Sequence, residues 1–92
     1  MHLEIVSPEA TLFSGEIESL AVPGINGEFE MLNNHAPIVS LLKVGHVKVY
    51  GDIKLDEDVA DKFIKGDKNG MWLPINSGTL EMKDNKVIVL AD

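Results

Sequence analysis

Apolar and polar residues alternate in short runs along most of this chain, and turn residues close each run. Residues 3–6 read as a first strand, stopped by Ser7-Pro8. Residues 11–22 read as a longer strand whose apolar spacing changes between Ile17 and Leu20, which predicts a β-bulge near Glu18-Ser19. The stretch Pro23-Gly24-Ile25-Asn26-Gly27 predicts a turn, since Pro fixes φ and Gly and Asn tolerate positive φ. In residues 28–32, Phe29 and Met31 fall on one face, Glu28 and Glu30 on the other. Asn33-Asn34 marks another turn. Residues 37–43 are almost wholly apolar, which predicts a segment buried on both faces or central to a sheet. In residues 46–50, Val47 and Val49 oppose Lys48 and Tyr50. Three more runs, 71–75, 79–82 and 86–90, are separated by Asn76-Ser77-Gly78 and Asp84-Asn85.

This spacing predicts an all-β chain: a flattened antiparallel β-sandwich of about eight to ten strands, forming one domain over residues 1–92. No long helical stretch interrupts the strands, so a parallel α/β fold is not expected. Residues 51–70 break the pattern. Leu55, Val59 and Phe63 recur at helical spacing, with acids before them and lysines after. The same stretch also reads as a hairpin with arms 52–55 and 62–65. A short helix or a hairpin near 52–66 both remain open, and either forms a surface excursion.

Composition narrows the function. A formal net charge of −7 disfavours nucleic acid, whose binding depends on cations that neutralise phosphates, and it disfavours insertion into anionic lipid. Basic protein surfaces fit better. The absence of cysteine removes disulfides, thiol catalysis and thiolate metal sites. No segment at the start reads as a signal peptide, and no run is long enough to span a bilayer.

Catalytic patterns are missing as well. Gly24-Ile25-Asn26-Gly27 lacks the Lys and Ser/Thr of a phosphate loop, and reads as a turn. His2, His35 and His46 have no metal-ligand spacing, and Asp56, Glu57, Asp58 and Asp61 do not follow a calcium-loop pattern. The sequence therefore predicts no enzyme, no cofactor and no metal site. Trp72 is expected to pack in or against the sandwich.

Three stretches together carry a resemblance. They are residues 3–24, with Ser7-Pro8-Glu9, Phe13-Ser14-Gly15-Glu16 and Val22-Pro23-Gly24; residues 27–37, from Gly27-Glu28 to His35-Ala36-Pro37; and residues 77–92, ending Val89-Leu90-Ala91-Asp92. In this order and spacing they resemble the N-terminal domain of the bacterial and chloroplast ATP synthase epsilon subunit. The resemblance covers nearly all of the chain except residues 51–71, where that family typically has a shorter hairpin.

The resemblance implies a non-catalytic β-sandwich at the foot of a rotary central stalk. Such a domain binds the gamma subunit and the polar loops of the membrane rotor ring, coupling proton flow to ATP synthesis at the cytoplasmic face of the bacterial plasma membrane. It implies that Glu28 approaches the ring loops and that His35, Ala36 and Pro37 sit at the gamma and ring junction. Met31, Asn33 and Asn34 belong to the same stretch of expected contact residues. Two positions depart from the pattern: Glu30 stands where the family usually has Gly, and Asn33-Asn34 where it has Pro-Gly. In most members the last strand runs on into two C-terminal helices that restrain ATP hydrolysis and in some bind ATP. The 92 residues here include no such helices, so a domain that couples without braking is expected. The competing expectation is an unrelated β-sandwich module that binds a sugar or peptide, though only five aromatic side chains could line its groove.

Overall fold

The computed structural model describes all residues, 1–92. Ten strands form one continuous hydrogen-bonded sheet that folds over on itself into two layers. In chain order they are β1 (His2–Val6), β2 (Thr11–Glu16), β3 (Ser19–Gly24), β4 (Gly27–Met31), β5 (Ile38–Leu42), β6 (Gly45–Tyr50), β7 (Ile64–Lys65), β8 (Met71–Ile75), β9 (Gly78–Lys83) and β10 (Lys86–Ala91).

One layer runs β2-β1-β10-β9-β5 and the other β4-β3-β6-β8-β7. They meet at a corner where Gly24 of β3 pairs with Leu42 of β5, reinforced by the Lys43 N–H donating to the Pro23 carbonyl at 2.8 Å. Pairing is antiparallel except between β1 and β10, which run parallel. These two strands come from opposite parts of the chain, so no hairpin imposes the antiparallel arrangement on them.

Alternation supplies the core. Leu3, Ile5, Leu80, Met82, Val87 and Val89 from one layer face Leu20, Val22, Met31, Val47 and Val49 from the other, all essentially without exposure. No polar or charged side chain is buried with them.

Residues 11–22 are two strands and not one bulged strand. The chain crosses between the layers at Ile17-Glu18, because β2 pairs with β1 while β3 pairs with β4 and β6. Ile17 and Leu20 both reach the core at a spacing of three, which a flat strand cannot do. The register irregularity lies earlier, where Ile5 pairs with Phe13 but Val6 with Thr11, leaving Leu12 as the extra residue. The β3–β4 turn is shorter than the sequence suggests, with only Ile25 and Asn26 outside the strands and Gly27 at φ 124°. Between β9 and β10, Asp84 and Asn85 hold φ of 51° and 59°, the left-handed pair that a tight hairpin demands.

Strand β5 is central, flanked by β9 and β3, but only one of its faces is buried. Val39 and Leu41 are 75% and 59% exposed. Residues 51–63 form neither an α-helix nor a hairpin. They cross the open side of the sandwich as an irregular strap with a single 3-10 turn at Ala60–Lys62. Val59 and Phe63 are buried, and Ile53 and Leu55 pack against the core from outside. Leu55 shares a shallow cleft with β2, and Lys62 one with Leu12 of β2 and Leu73 of β8. No backbone hydrogen bond joins the strap to either layer. The expected 62–65 arm is present in part as β7, which pairs with β8 and not with residues 52–55. The apolar stripe was real; an excursion whose anchors could reach a core on one side had no need of a helix to hide them.

Candidate partner-binding site

The expected contact residues separate into two places. The first is the loop that leaves β4 and crosses to β5. Leu32 through Pro37 are all exposed there. The His35 N–H donates to the Leu32 carbonyl at 3.1 Å, closing a turn in which Asn34 takes φ 61°. Asn tolerates that conformation at little cost. Three contacts pin the turn. The N-terminal ammonium of Met1 donates to Asn33 Oδ1 at 2.8 Å, the Asn34 N–H donates to Asn85 Oδ1 at 2.7 Å, and His35 Nδ1 donates to the Ala36 carbonyl at 2.7 Å. The loop is thus a fixed exposed rim and not a floppy connection.

Met31 requires a correction as a contact residue. It is fully buried, because position 31 falls on the inner side of the β4 alternation. It supports the rim from beneath.

The second place holds Glu28. It lies three residues before Met31, roughly 10 Å along the strand, and pairs with Pro23 beside the Ile25-Asn26 turn. Glu28 and the 32–37 rim therefore sit toward opposite ends of β4. The Glu28 side chain reaches over β3 to Lys48 on β6, with Oε1 and Nζ 2.9 Å apart. Lys48 in turn lies over the indole of its cross-strand partner Trp72, 4.3 Å from the ring centroid. The His46 ring is 5.6 Å from the same indole. The hydrogen bond to Glu28 raises the Lys48 pKa above its ordinary value, against the opposing effect of desolvation. Nearby, the Tyr50 hydroxyl donates to Asp67 at 3.0 Å, and burial first, then this hydrogen bond, raises the Tyr50 pKa. A half-exposed ion pair and a surface cation–π contact are each worth only about 0.5–1 kcal/mol. Their effect is on geometry more than on stability.

Sequence reading missed the apolar surface beside Glu28. Ile25, Val39 and Leu41 line a shallow cleft together with Glu28. Across the outer face of the first layer, Leu41, Thr79, Leu90 and Val6 form one cross-strand row. A groove of about 640 Å³ runs along it, bounded by Pro8, Ile25 and Ser77. Leu90 and Ile25 are 53% and 55% exposed. The signal was present in the almost wholly apolar run of 37–43: a strand with an apolar outer face either lies inside its own fold or is covered by something else.

The three histidines do not converge. His2 contacts Glu16, His35 holds the rim and His46 lies against Trp72 in a tilted ring contact. No group of three His, Asp or Glu side chains is arranged to hold a metal ion. No helix is long and apolar enough to cross a membrane.

Known proteins share both the sequence pattern and the architecture. The model of the ATP synthase delta/epsilon chain β-sandwich domain matches residues 1–92. The ATP synthase epsilon chain of Campylobacter curvus is 39% identical over 92 residues, and that of Aquifex aeolicus 37%. Both alignments take in 100% of this chain but only 60% and 58% of the relatives, so the chain spans about three fifths of their length. Among solved structures, a chain of the Tetrahymena thermophila mitochondrial ATP synthase central stalk and c-ring shares the fold. Its TM-score is 0.69 at 12% identity, covering 98% of this chain and 61% of that one. The family model spans the chain from first residue to last, and the chain belongs to the ATP synthase delta/epsilon chain β-sandwich domain family.

Proposed function

We propose that this domain is a non-catalytic part of the central stalk of a rotary ATP synthase, where it binds the gamma subunit and the polar loops of the membrane rotor ring. In that position it couples proton flow to ATP synthesis from the cytoplasmic face of the bacterial plasma membrane, held there peripherally through its partners. The carrying observation is the exposed apolar row on the outer face of β5 and β10, bordered by Glu28, in a domain of this family. Such a face on a small domain is costly to leave in water and suits a permanent partner. The names of the relatives, ATP synthase epsilon chains, and of the central-stalk structural neighbour support the same reading.

In this reading the apolar row packs on gamma, while Glu28 and the 33–37 rim meet polar groups of gamma and the ring. Asn33, Asn34, His35, Ala36 and Pro37 offer carboxamides, an imidazole and a rigid backbone for that purpose. The acidic surface suits basic or amide-rich loop ends.

The test is co-purification with the gamma subunit of the same organism. A one-to-one complex is expected, weakened by Glu28→Ala/His35→Ala. A folded protein that binds no gamma subunit would overturn the assignment.

A further inference from the structure

We propose that Lys48, seated on Trp72, positions the Glu28 carboxylate for its partner, and that residues 64–70 set this position through Gly66. The proposal rests on the reading of Glu28 as a contact residue and adds what holds it in place.

Three residues on three strands form the clamp. Glu28 on β4 is about half exposed and would otherwise sample several rotamers, whereas the Lys48 side chain is only 21% exposed. Lys48 Nζ meets Glu28 Oε1 on one side and the Trp72 ring on the other. The ammonium is therefore confined between a π-face and a carboxylate. It fixes one carboxylate oxygen and leaves Oε2 to accept from an incoming N–H, as an arginine or a loop amide would supply.

Trp72 is in turn confined by the segment that follows the strap. Ile64 pairs with Trp72 across the β7–β8 ladder. Gly66 lies against the indole so closely that a Cβ there would fall 2.0 Å from Nε1 and 2.1 Å from Cε2. The Gly66 backbone sits at φ −105°, which any residue adopts, so what demands glycine is the indole and not the chain. The Gly66 N–H donates to the Gly70 carbonyl at 2.9 Å, closing the small loop that carries it. Trp72 Nε1 is buried without a hydrogen-bond partner within bonding geometry, so the ring position is set by its contacts with Gly66, Lys48 and His46. A continuous chain of contacts runs from Gly66 through Trp72 and Lys48 to Glu28.

The clamp is read first in the free 92-residue protein by NMR. The Lys48 ε-methylene protons are expected upfield of those of the other lysines because they adjoin Nζ, which lies 4.3 Å from the indole centroid. Glu28→Gln and Gly66→Ala are both expected to reduce that shift. An ordinary Lys48 shift in the wild type, or one unchanged by Gly66→Ala, would overturn the clamp. Binding to the purified gamma subunit–rotor ring complex is read second. Lys48→Met is expected to weaken it about five- to tenfold without lowering thermal stability appreciably, and Lys48→Arg to restore most of it. Gly66→Ala, which touches neither Lys48 nor Glu28, is expected to weaken it as well. If Gly66→Ala does not fold, Trp72→Leu takes its place in the binding assay. Wild-type affinity for Lys48→Met beside weakened Glu28→Gln would overturn the positioning role. Wild-type affinity for Glu28→Gln, where the wild-type protein shows the upfield Lys48 shift, would instead overturn the reading of Glu28 as a contact.

Discussion

The backbone N–H of Asn34 donates to the side-chain oxygen of Asn85, 51 residues further along the chain, at 2.7 Å. One left-handed asparagine thereby holds another, and the rim between β4 and β5 takes its shape from the β9–β10 turn. Asn85→Gly keeps the positive φ and deletes the carboxamide. It is expected to cost about 1 kcal/mol and to raise the amide exchange of Asn34 well above that of β9. Unchanged exchange at Asn34 would show that the turn holds itself.

The outward apolar row makes a prediction that separates folding from assembly. Leu41→Asp and Leu90→Asp replace side chains that are 59% and 53% exposed, so each is expected to shift stability by less than about 1 kcal/mol. Both are expected to abolish co-purification with the gamma subunit. Normal co-purification of the two variants would place the partner on another face.

Alkaline pH acts on the Glu28 face through two raised pKa values, those of Lys48 and Tyr50. A raised folded-state value means that the folded protein holds the proton more tightly than the unfolded chain does. That stabilisation is complete below the unfolded values, near pH 10, and is lost as pH rises through the folded ones. The urea midpoint is therefore expected to fall above about pH 10. Glu28→Gln should flatten the fall by removing the main cause of the Lys48 shift. Asp67→Asn should flatten it less, since burial is the larger cause for Tyr50.

The strap holds by side chains alone. Phe63→Ala removes its most buried aromatic anchor and is expected to cost about 3 kcal/mol, on the order of 15 °C in Tm for a domain this small. Ile64→Ala, at a half-exposed site one residue on, is expected to cost under about 1 kcal/mol. Equal losses from the two would mean that the strap is not anchored through the core.

Much of this fold was legible because period-two alternation is a local property. Val47 and Val49 against Lys48 and Tyr50, or Phe29 and Met31 against Glu28 and Glu30, announce their faces without reference to any partner strand. The crossing at Ile17-Glu18 was harder, since a spacing of three fits both a bulge and a change of layer, and only the pairing of β3 with β6 decides between them. Val39 and Leu41 misled for a different reason. An apolar residue facing a missing partner reads like one facing its own core. Met31 failed as a contact residue on parity alone, one position from exposed Glu30 and Leu32. The clamp around Glu28 was invisible, because it brings together residues 28, 48, 66 and 72 through three strand registers.

The two sides of the sandwich close in mechanically different ways. At the Gly24–Leu42 corner, backbone hydrogen bonds carry the sheet continuously from one layer to the other. On the opposite side Ile53, Leu55, Val59 and Phe63 of the strap pack against the core without a backbone hydrogen bond to either layer. Hydrogen bonds along a sheet resist shear stiffly, whereas apolar side chains slide against one another at nearly constant area. A load applied across the domain would thus be borne at the corner, and the first yielding would occur at the strap. For a part proposed to sit between a turning ring and a shaft, that asymmetry makes one side a hinge and the other a spring.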